Sequence, residues 1–232
     1  MRRASQRSPR GLMRRVAGPL TLLVACSQPG GPGGVKEAPD WPEGTVLVCA
    51  GEPIRAEDVD PIAEALRPLG PKFTQPHLRR LALTNICLPL AAGRAQGGSE
   101  RRDQAKREAL EALRAQGEGA NDELGVLTEG TQGVLGVPLW VLIQDLQQGA
   151  WTGPRELPGQ FVLVKLLARD GNARPQDEEF SVRVLPFPYV DDPPSLTGEA
   201  LNASLELVDD AWETLIPGFW RHQMGKTGAS SD

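Results

Sequence analysis

Glycine and proline interrupt this chain so often that they limit the length of its helices and strands. The 232 residues include 26 Gly and 21 Pro, about a fifth of the chain, against a usual share of about an eighth. Proline removes a backbone donor, and glycine costs conformational entropy inside a helix or strand. We therefore expect short elements, many turns and a core of modest size, in one domain or two small ones.

The first 25 residues have the composition of a secretory signal peptide. This leader holds six arginines and no acidic residue, and it ends in the short apolar run 16–25. The run is shorter than the roughly 20 apolar residues that cross a bilayer. Leu23-Val24-Ala25-Cys26 resembles a bacterial lipobox, which implies that Cys26 is acylated and becomes the mature N-terminus. An ordinary signal peptide with a chance cysteine is the alternative.

An acylated Cys26 would place the rest of the chain outside the cytoplasm. Stable anchoring takes two or more acyl chains, which a triacylated bacterial cysteine supplies. Ser27 follows the cysteine, and no Asp stands there to suggest retention in the inner membrane. The resemblance therefore implies an outer-membrane lipoprotein that faces the periplasm, with the membrane as a partner through the lipid anchor.

The chain that follows the leader is acidic. Residues 26–232 hold 19 Lys+Arg and 30 Asp+Glu, a net charge of −11. Binding to a phosphate backbone needs a basic surface, so this composition argues against a nucleic-acid partner. The chain has only two histidines and neither a CxxC nor an HxxxH motif. We therefore predict no metal site and no cofactor.

Two cysteines remain beyond Cys26. In an oxidising compartment Cys49 and Cys87 could form one disulfide. Each also lies in an apolar stretch, so two separate buried thiols are the favoured alternative. The sequence does not show whether their Cα atoms come close enough to be bridged.

Hydrophobic spacing predicts both helices and strands in the remaining chain. A strand is expected over 46–50, closed by a turn at Gly51. Helices are expected over 59–66, from 74 to near Pro89 or Gly93, from Glu100 to about 116 with Ser99 as its cap, and from 138 to a stop at Gly149. Residues 161–167 predict a central strand buried on both faces, and 180–184 predict a half-buried one.

A last amphipathic helix is expected over residues 198–215. Its apolar residues step by four and three: Leu201, Leu205, Val208, Trp212 and Leu215. Most amphipathic helices face the core of their own domain, so this seam is expected to pack on the same body rather than on a partner.

Two stretches resemble exported parvulin-type peptidyl-prolyl isomerases and chaperones of the SurA kind. The first is Val48-Cys49-Ala50-Gly51-Glu52-Pro53-Ile54 with the helices after it, similar to the start of the SurA helical module. The second is 147–154 followed by 159–166, similar to the last third of a parvulin domain, where a helix leads through a Gly-Pro step into the final strand.

This resemblance implies an α+β fold with a helical module and a small antiparallel sheet. It divides the chain into five segments. These are the signal peptide 1–25, a flexible tether 26–44, a helical chaperone-like module 45–118, a parvulin-like region 119–190, and a C-terminal helix and tail 191–232.

The resemblance does not extend to the catalytic residues of parvulins. Those sites use a pair of histidines, and here His77 and His222 both lie outside the matching stretch. We therefore assign no catalytic residue and expect a chaperone that binds extended, apolar segments of exported polypeptides. The resemblance places Trp151, Pro154 and Phe161 in the peptide groove.

Two other functions remain open at this point. The first alternative is a structural or assembly lipoprotein with no isomerase relation, which would dock a partner through the 201–215 seam or the Trp220 region. A true isomerase with an altered site is the least favoured.

Overall fold

The fold is α+β, as expected from the sequence, with two small antiparallel sheets packed among helices. A computed structural model describes residues 40–118, 124–171, 174–193 and 203–221, and these belong to one compact unit. The predicted signal peptide and Cys26 lie outside the described residues, as does the tether up to residue 39.

The smaller sheet has the strand order β2-β1-β7. Its strands are β1 (Thr45–Cys49), β2 (Glu52–Arg55) and β7 (Leu205–Leu207), and both neighbours run antiparallel to β1. All five residues of β1 are buried, which confirms the predicted strand. Ala50 and Gly51 both have positive φ, 54° and 84°. A two-residue hairpin loop needs this conformation to match the twist of the strands.

The first helical segment follows the β1–β2 hairpin. It consists of α1 (Ala56–Ala65), α2 (Gln75–Ala82), a π-helix (Leu83–Cys87) and α3 (Leu88–Glu118). The three helices predicted between residues 59 and 116 are therefore confirmed in position. The last two meet at Gly98, whose φ of 68° and ψ of 167° are non-helical, so α3 consists of two helical segments on either side of a kink. Only glycine adopts such a φ readily, so the bend occurs at this residue.

The larger sheet has the strand order β3-β6-β5-β4. Its strands are β3 (Val126–Gly130), β4 (Arg155–Leu157), β5 (Gln160–Asp170) and β6 (Glu179–Pro188), all antiparallel to their neighbours. Two short helices, α4 (Gln132–Leu135) and α5 (Val137–Ile143), lie between β3 and β4 in the chain. β5 is an inner strand, as predicted for 161–167. The helix predicted to reach residue 149 ends at Ile143.

The larger sheet lies between two hydrophobic clusters. Val162, Val164 and Leu166 of β5 face the main cluster, which also contains residues of β1 and of the helices α1 and α2. Phe161 and Leu163 face the second cluster with Ala105 and Ala109 of α3. Alternate residues of a strand point to opposite faces, which explains this division. One core thus joins residues of both the predicted helical module and the predicted parvulin-like region.

The helix predicted over residues 198–215 is not observed in the described part of that range, residues 203–215. Residues 205–207 form β7, in which Leu205 pairs with Cys49 of β1, and Asp210–Leu215 form a 3₁₀-helix. A final helical turn, α6 (Gly218–Arg221), follows. The open edge of β1 offers a row of backbone hydrogen bonds, and pairing with that edge outweighs the helical spacing of the apolar residues.

The apolar seam itself packs into the main core. Leu205, Trp212 and Leu215 are at most 5% exposed, whereas Val208 is 41% exposed. Trp220 is 1% exposed. Of the positions that the sequence offered for partner docking, Leu205, Trp212, Leu215 and Trp220 are therefore buried, Val208 is exposed, and Leu201 lies outside the described residues. None of the helices in the described ranges has a stretch long and apolar enough to span a bilayer.

Candidate functional site

An apolar groove runs between the helical segment and the larger sheet. It consists of two adjoining depressions of about 410 and 390 Å³. Pro138 at the start of α5 and Leu157 at the end of β4 line both of them. We call them the first and the second depression, and together the groove. Its walls are the π-helix, α5 and the turn that joins β4 to β5.

The π-helix supplies one wall. Thr84 and Asn85 line the first depression, and Ile86 lines the second. A π-helix is wider than an α-helix and is frequent at functional sites. The side-chain Nδ2 of Asn85 donates to the backbone oxygen of Leu81 at 2.9 Å. Its Oδ1 accepts no hydrogen bond from any described residue.

The opposite wall is the face of the larger sheet that carries the even-numbered residues of β5 and β6. Gln160 and Val184 line the first depression beside Leu157. Leu157 is paired with Gln160, and Arg155 with Val162. Val137, Pro138 and Leu139 of α5 lie across from these residues. The resulting surface is largely apolar with a few amide groups, which is typical of a groove that takes an extended peptide.

A polar cluster holds β4 against α3 behind this wall. Arg94 donates to Glu156 through Nε at 3.1 Å and through Nη2 at 2.6 Å. The Arg102 guanidinium lies 3.6 Å from the same carboxylate, and the Tyr189 hydroxyl donates to it at 3.1 Å. Burial, followed by the Glu156 charge, raises the pKa of Tyr189 above its ordinary value. The side chain of Glu156 is only 15% exposed, so this network fixes the strand that carries the groove wall.

The residues that the sequence placed in a peptide groove do not line the observed one. Phe161 is 6% exposed and packs beside Tyr189, with ring centroids 5.9 Å apart. Trp151 packs against the same second cluster, and its Nε1 is buried without a hydrogen-bond partner. Pro154 is half-buried and borders neither depression. Phe161 points towards α3, while its neighbours Gln160 and Val162 point towards the groove side of the sheet.

The groove residues themselves were missed because no local pattern marks them. Pro138 falls at the start of one predicted helix and Asn85 inside another, and neither pattern indicates a groove. The π-helix arises where α2 runs into α3, and single-residue propensities do not indicate that geometry.

The two cysteines are free thiols in the structure, and both are buried. The Cys49 thiol lies 3.9 Å from the backbone oxygen of Leu88, next to Cys87 in the chain. Burial raises the pKa of Cys49 to about 11 and that of Cys87 to about 12. These thiols are therefore protonated and weakly nucleophilic at neutral pH, which argues against a catalytic role.

No group of side chains in the described ranges could hold a metal ion. His77 lies in α2, where its ring is 4.3 Å from that of Phe73, and it does not border the groove. His222 and Cys26 lie outside the described residues.

Comparison with known proteins does not place the chain in a family. No protein-family model matches it, and no match was found among curated proteins or solved structures.

Proposed function

We propose that this protein is a lipid-anchored protein of the bacterial cell envelope. It faces the periplasm and binds extended, apolar segments of exported polypeptides in the groove. The observation that carries this proposal is the apolar groove between the π-helix, α5 and the larger sheet. Its position agrees with the expected peptide site between a helical module and a sheet, although its residues differ from those expected.

The lining suits main-chain as well as side-chain recognition. Val137, Leu139 and Leu157 offer apolar contacts, while Asn85 and Gln160 offer amide groups to the backbone of a bound segment. An extended peptide leaves its own N–H and C=O groups unpaired, so such contacts contribute to its affinity without requiring a particular sequence.

Proline isomerisation is not part of the proposal. The only histidine in the described residues, His77, lies away from the groove. Thr84 is the one hydroxyl-bearing residue of the lining, and its hydroxyl forms no hydrogen bond with any described residue. The groove therefore supports holding a client rather than changing its bonds.

Binding and its location are tested with two matched substitutions. Val137→Asn changes a residue of the groove wall, whereas Val134→Asn makes the same change at a site on α4 that is 65% exposed and outside the groove. We expect the wild-type chain to suppress aggregation of an unfolded client and to bind a fluorescent apolar peptide. Val137→Asn should weaken peptide binding several-fold because it puts a polar amide in an apolar contact, and Val134→Asn should not.

Thermal unfolding of both variants shows whether either loses its fold. The proposal fails if the wild type neither binds the peptide nor suppresses aggregation, or if two folded variants bind equally well. Turnover of a proline peptide at a rate above background would contradict the non-catalytic assignment.

The anchor is tested separately by mass spectrometry of the protein isolated from membranes. We expect an N-terminal Cys26 that carries fatty acyl groups, and a Cys26→Ser variant that no longer fractionates with the membrane. An unmodified Cys26 with the leader still attached would contradict the proposed location.

A further inference from the structure

Arg155 differs from most of the other arginines in the described ranges because its side chain has no hydrogen-bond or ion-pair partner there. Arg79, Arg94 and Arg169 each bind a carboxylate of the protein itself, namely Asp60, Glu156 and Glu178. Arg155 forms neither a hydrogen bond nor an ion pair with any described residue. It lines the second depression. Its guanidinium therefore lies beside apolar residues of the groove without a carboxylate partner among the described residues.

Strand geometry places the Arg155 side chain on the groove side of β4. Arg155 and Leu157 are two residues apart, so they point to the same face, and Leu157 lines both depressions. Glu156 lies between them and also borders the second depression, but its carboxylate is bound by Arg94, Arg102 and Tyr189 on the α3 side of the sheet. The carboxylate nearest in sequence is therefore neutralised on the other side of the sheet.

Besides Glu156, one other acidic residue borders the same depression. Asp145, just after α5, is exposed and has no partner among the described residues. It is not within ion-pair distance of Arg155. A carboxylate that enters the depression would therefore be attracted by Arg155 and repelled by Asp145.

We infer that Arg155 binds an acidic side chain of the bound segment, so that the groove prefers extended apolar segments that carry an Asp or Glu. The inference rests on the proposed function, because it specifies what the same groove selects. The charge of such a segment would complement that of the groove, which presents the unpaired guanidinium of Arg155 next to apolar contacts. A carboxylate is the group that a guanidinium binds in a planar, two-point geometry.

The test uses three labelled apolar peptides that are identical except for one central Glu, Gln or Lys. Binding to the mature full-length chain is measured by fluorescence anisotropy. We expect the Glu peptide to bind about threefold to fivefold more tightly than the Gln peptide, the range of a solvent-accessible ion pair. The Lys peptide should bind most weakly, and the preference should shrink as salt is raised.

Three variants assign the preference to its residues. Arg155→Gln should abolish the difference between the Glu and Gln peptides, and Asp145→Asn should increase it. Arg174→Gln is the matched control, because Arg174 is also exposed and unpaired but lies outside the groove. It should leave the difference unchanged.

The outcomes separate this inference from the proposed function. Binding of all three peptides with equal affinity, or a preference for Glu that persists in Arg155→Gln, would overturn the role of Arg155 while leaving the groove as a peptide site. Failure of all three peptides to bind would overturn both.

Discussion

Gly97 is the position where adding a single methyl group should reveal how closely α3 packs on the larger sheet. A Cβ atom at Gly97 would lie 2.4 Å from Cδ2 of the Tyr189 ring and 3.0 Å from the Tyr189 backbone oxygen. Real Cβ atoms essentially never come within 3.0 Å of a heavy atom, so either the helix or the tyrosine must move.

Tyr189 has little freedom to move. Its side chain is 1% exposed, its hydroxyl donates to Glu156, and its backbone N–H donates to the oxygen of Gly159 at 2.9 Å. Overpacking of this kind costs about 1–3 kcal/mol. The better helix propensity of alanine returns at most ~1 kcal/mol, and less at Gly97, since the next residue, Gly98, is non-helical. We therefore expect Gly97→Ala to lower the free energy of unfolding by about 1–2 kcal/mol.

Urea unfolding followed by tryptophan fluorescence measures this change, and Gly133→Ala is the control. Gly133 lies in α4, and the nearest heavy atom to a Cβ there is 3.9 Å away. The same substitution should therefore leave stability unchanged or raise it by up to ~1 kcal/mol.

A double-mutant cycle identifies the cause. In a Tyr189→Leu background the ring is gone, so Gly97→Ala should cost about 1 kcal/mol less than in the wild type. An equal cost in both backgrounds, or a Gly97→Ala variant that is as stable as the wild type, would refute the close contact as the reason.

Three further predictions follow from burial. Leu205→Asp should destabilise the protein by at least ~3 kcal/mol because it puts a charge in the core, while Val208→Asp should cost under ~0.5 kcal/mol. Urea unfolding measures both losses, and similar losses at the two positions would indicate a buried helical seam instead. Cys49 and Cys87 should resist a thiolate-specific reagent at pH 8 until denaturant is added, and rapid labelling of the folded chain would contradict this. The free energy of unfolding should fall as the pH rises from about 9 towards 11, because the thiols of the unfolded chain ionise at a lower pH than those of the folded chain. Glu156→Gln should cost about 1–3 kcal/mol by leaving its arginine partners uncompensated, and thermal unfolding without a shift would contradict it.

The positions of most elements could be predicted from local patterns. β1, α1 and β5 each have a clear apolar period that ends at glycine or proline, and the structure has them where the pattern indicates. The C-terminal segment shows the limit of this approach. Its apolar spacing suits a helix, but whether residues 205–207 are helical depends on the open edge of β1, more than 150 residues earlier in the chain.

The candidate site could not be predicted, because it depends on which face of the sheet meets which helix. The sequence indicated that Phe161 is apolar and that a strand contains it. It did not indicate that α3 would cover the odd-numbered face of β5 and leave the even-numbered face beside the π-helix and α5. The resemblance that suggested Trp151, Pro154 and Phe161 carried no information about that arrangement.

By itself the sequence determined the α+β class, the ends of several elements at glycine or proline, and the acidic balance of the body. These depend on local conformational preference and composition. The tertiary structure alone decided that Leu205 is a strand residue, that both cysteines are buried as free thiols, and that the groove lies between the π-helix and β4. Each of these results depends on contacts between residues distant in the chain, and local spacing does not specify such contacts.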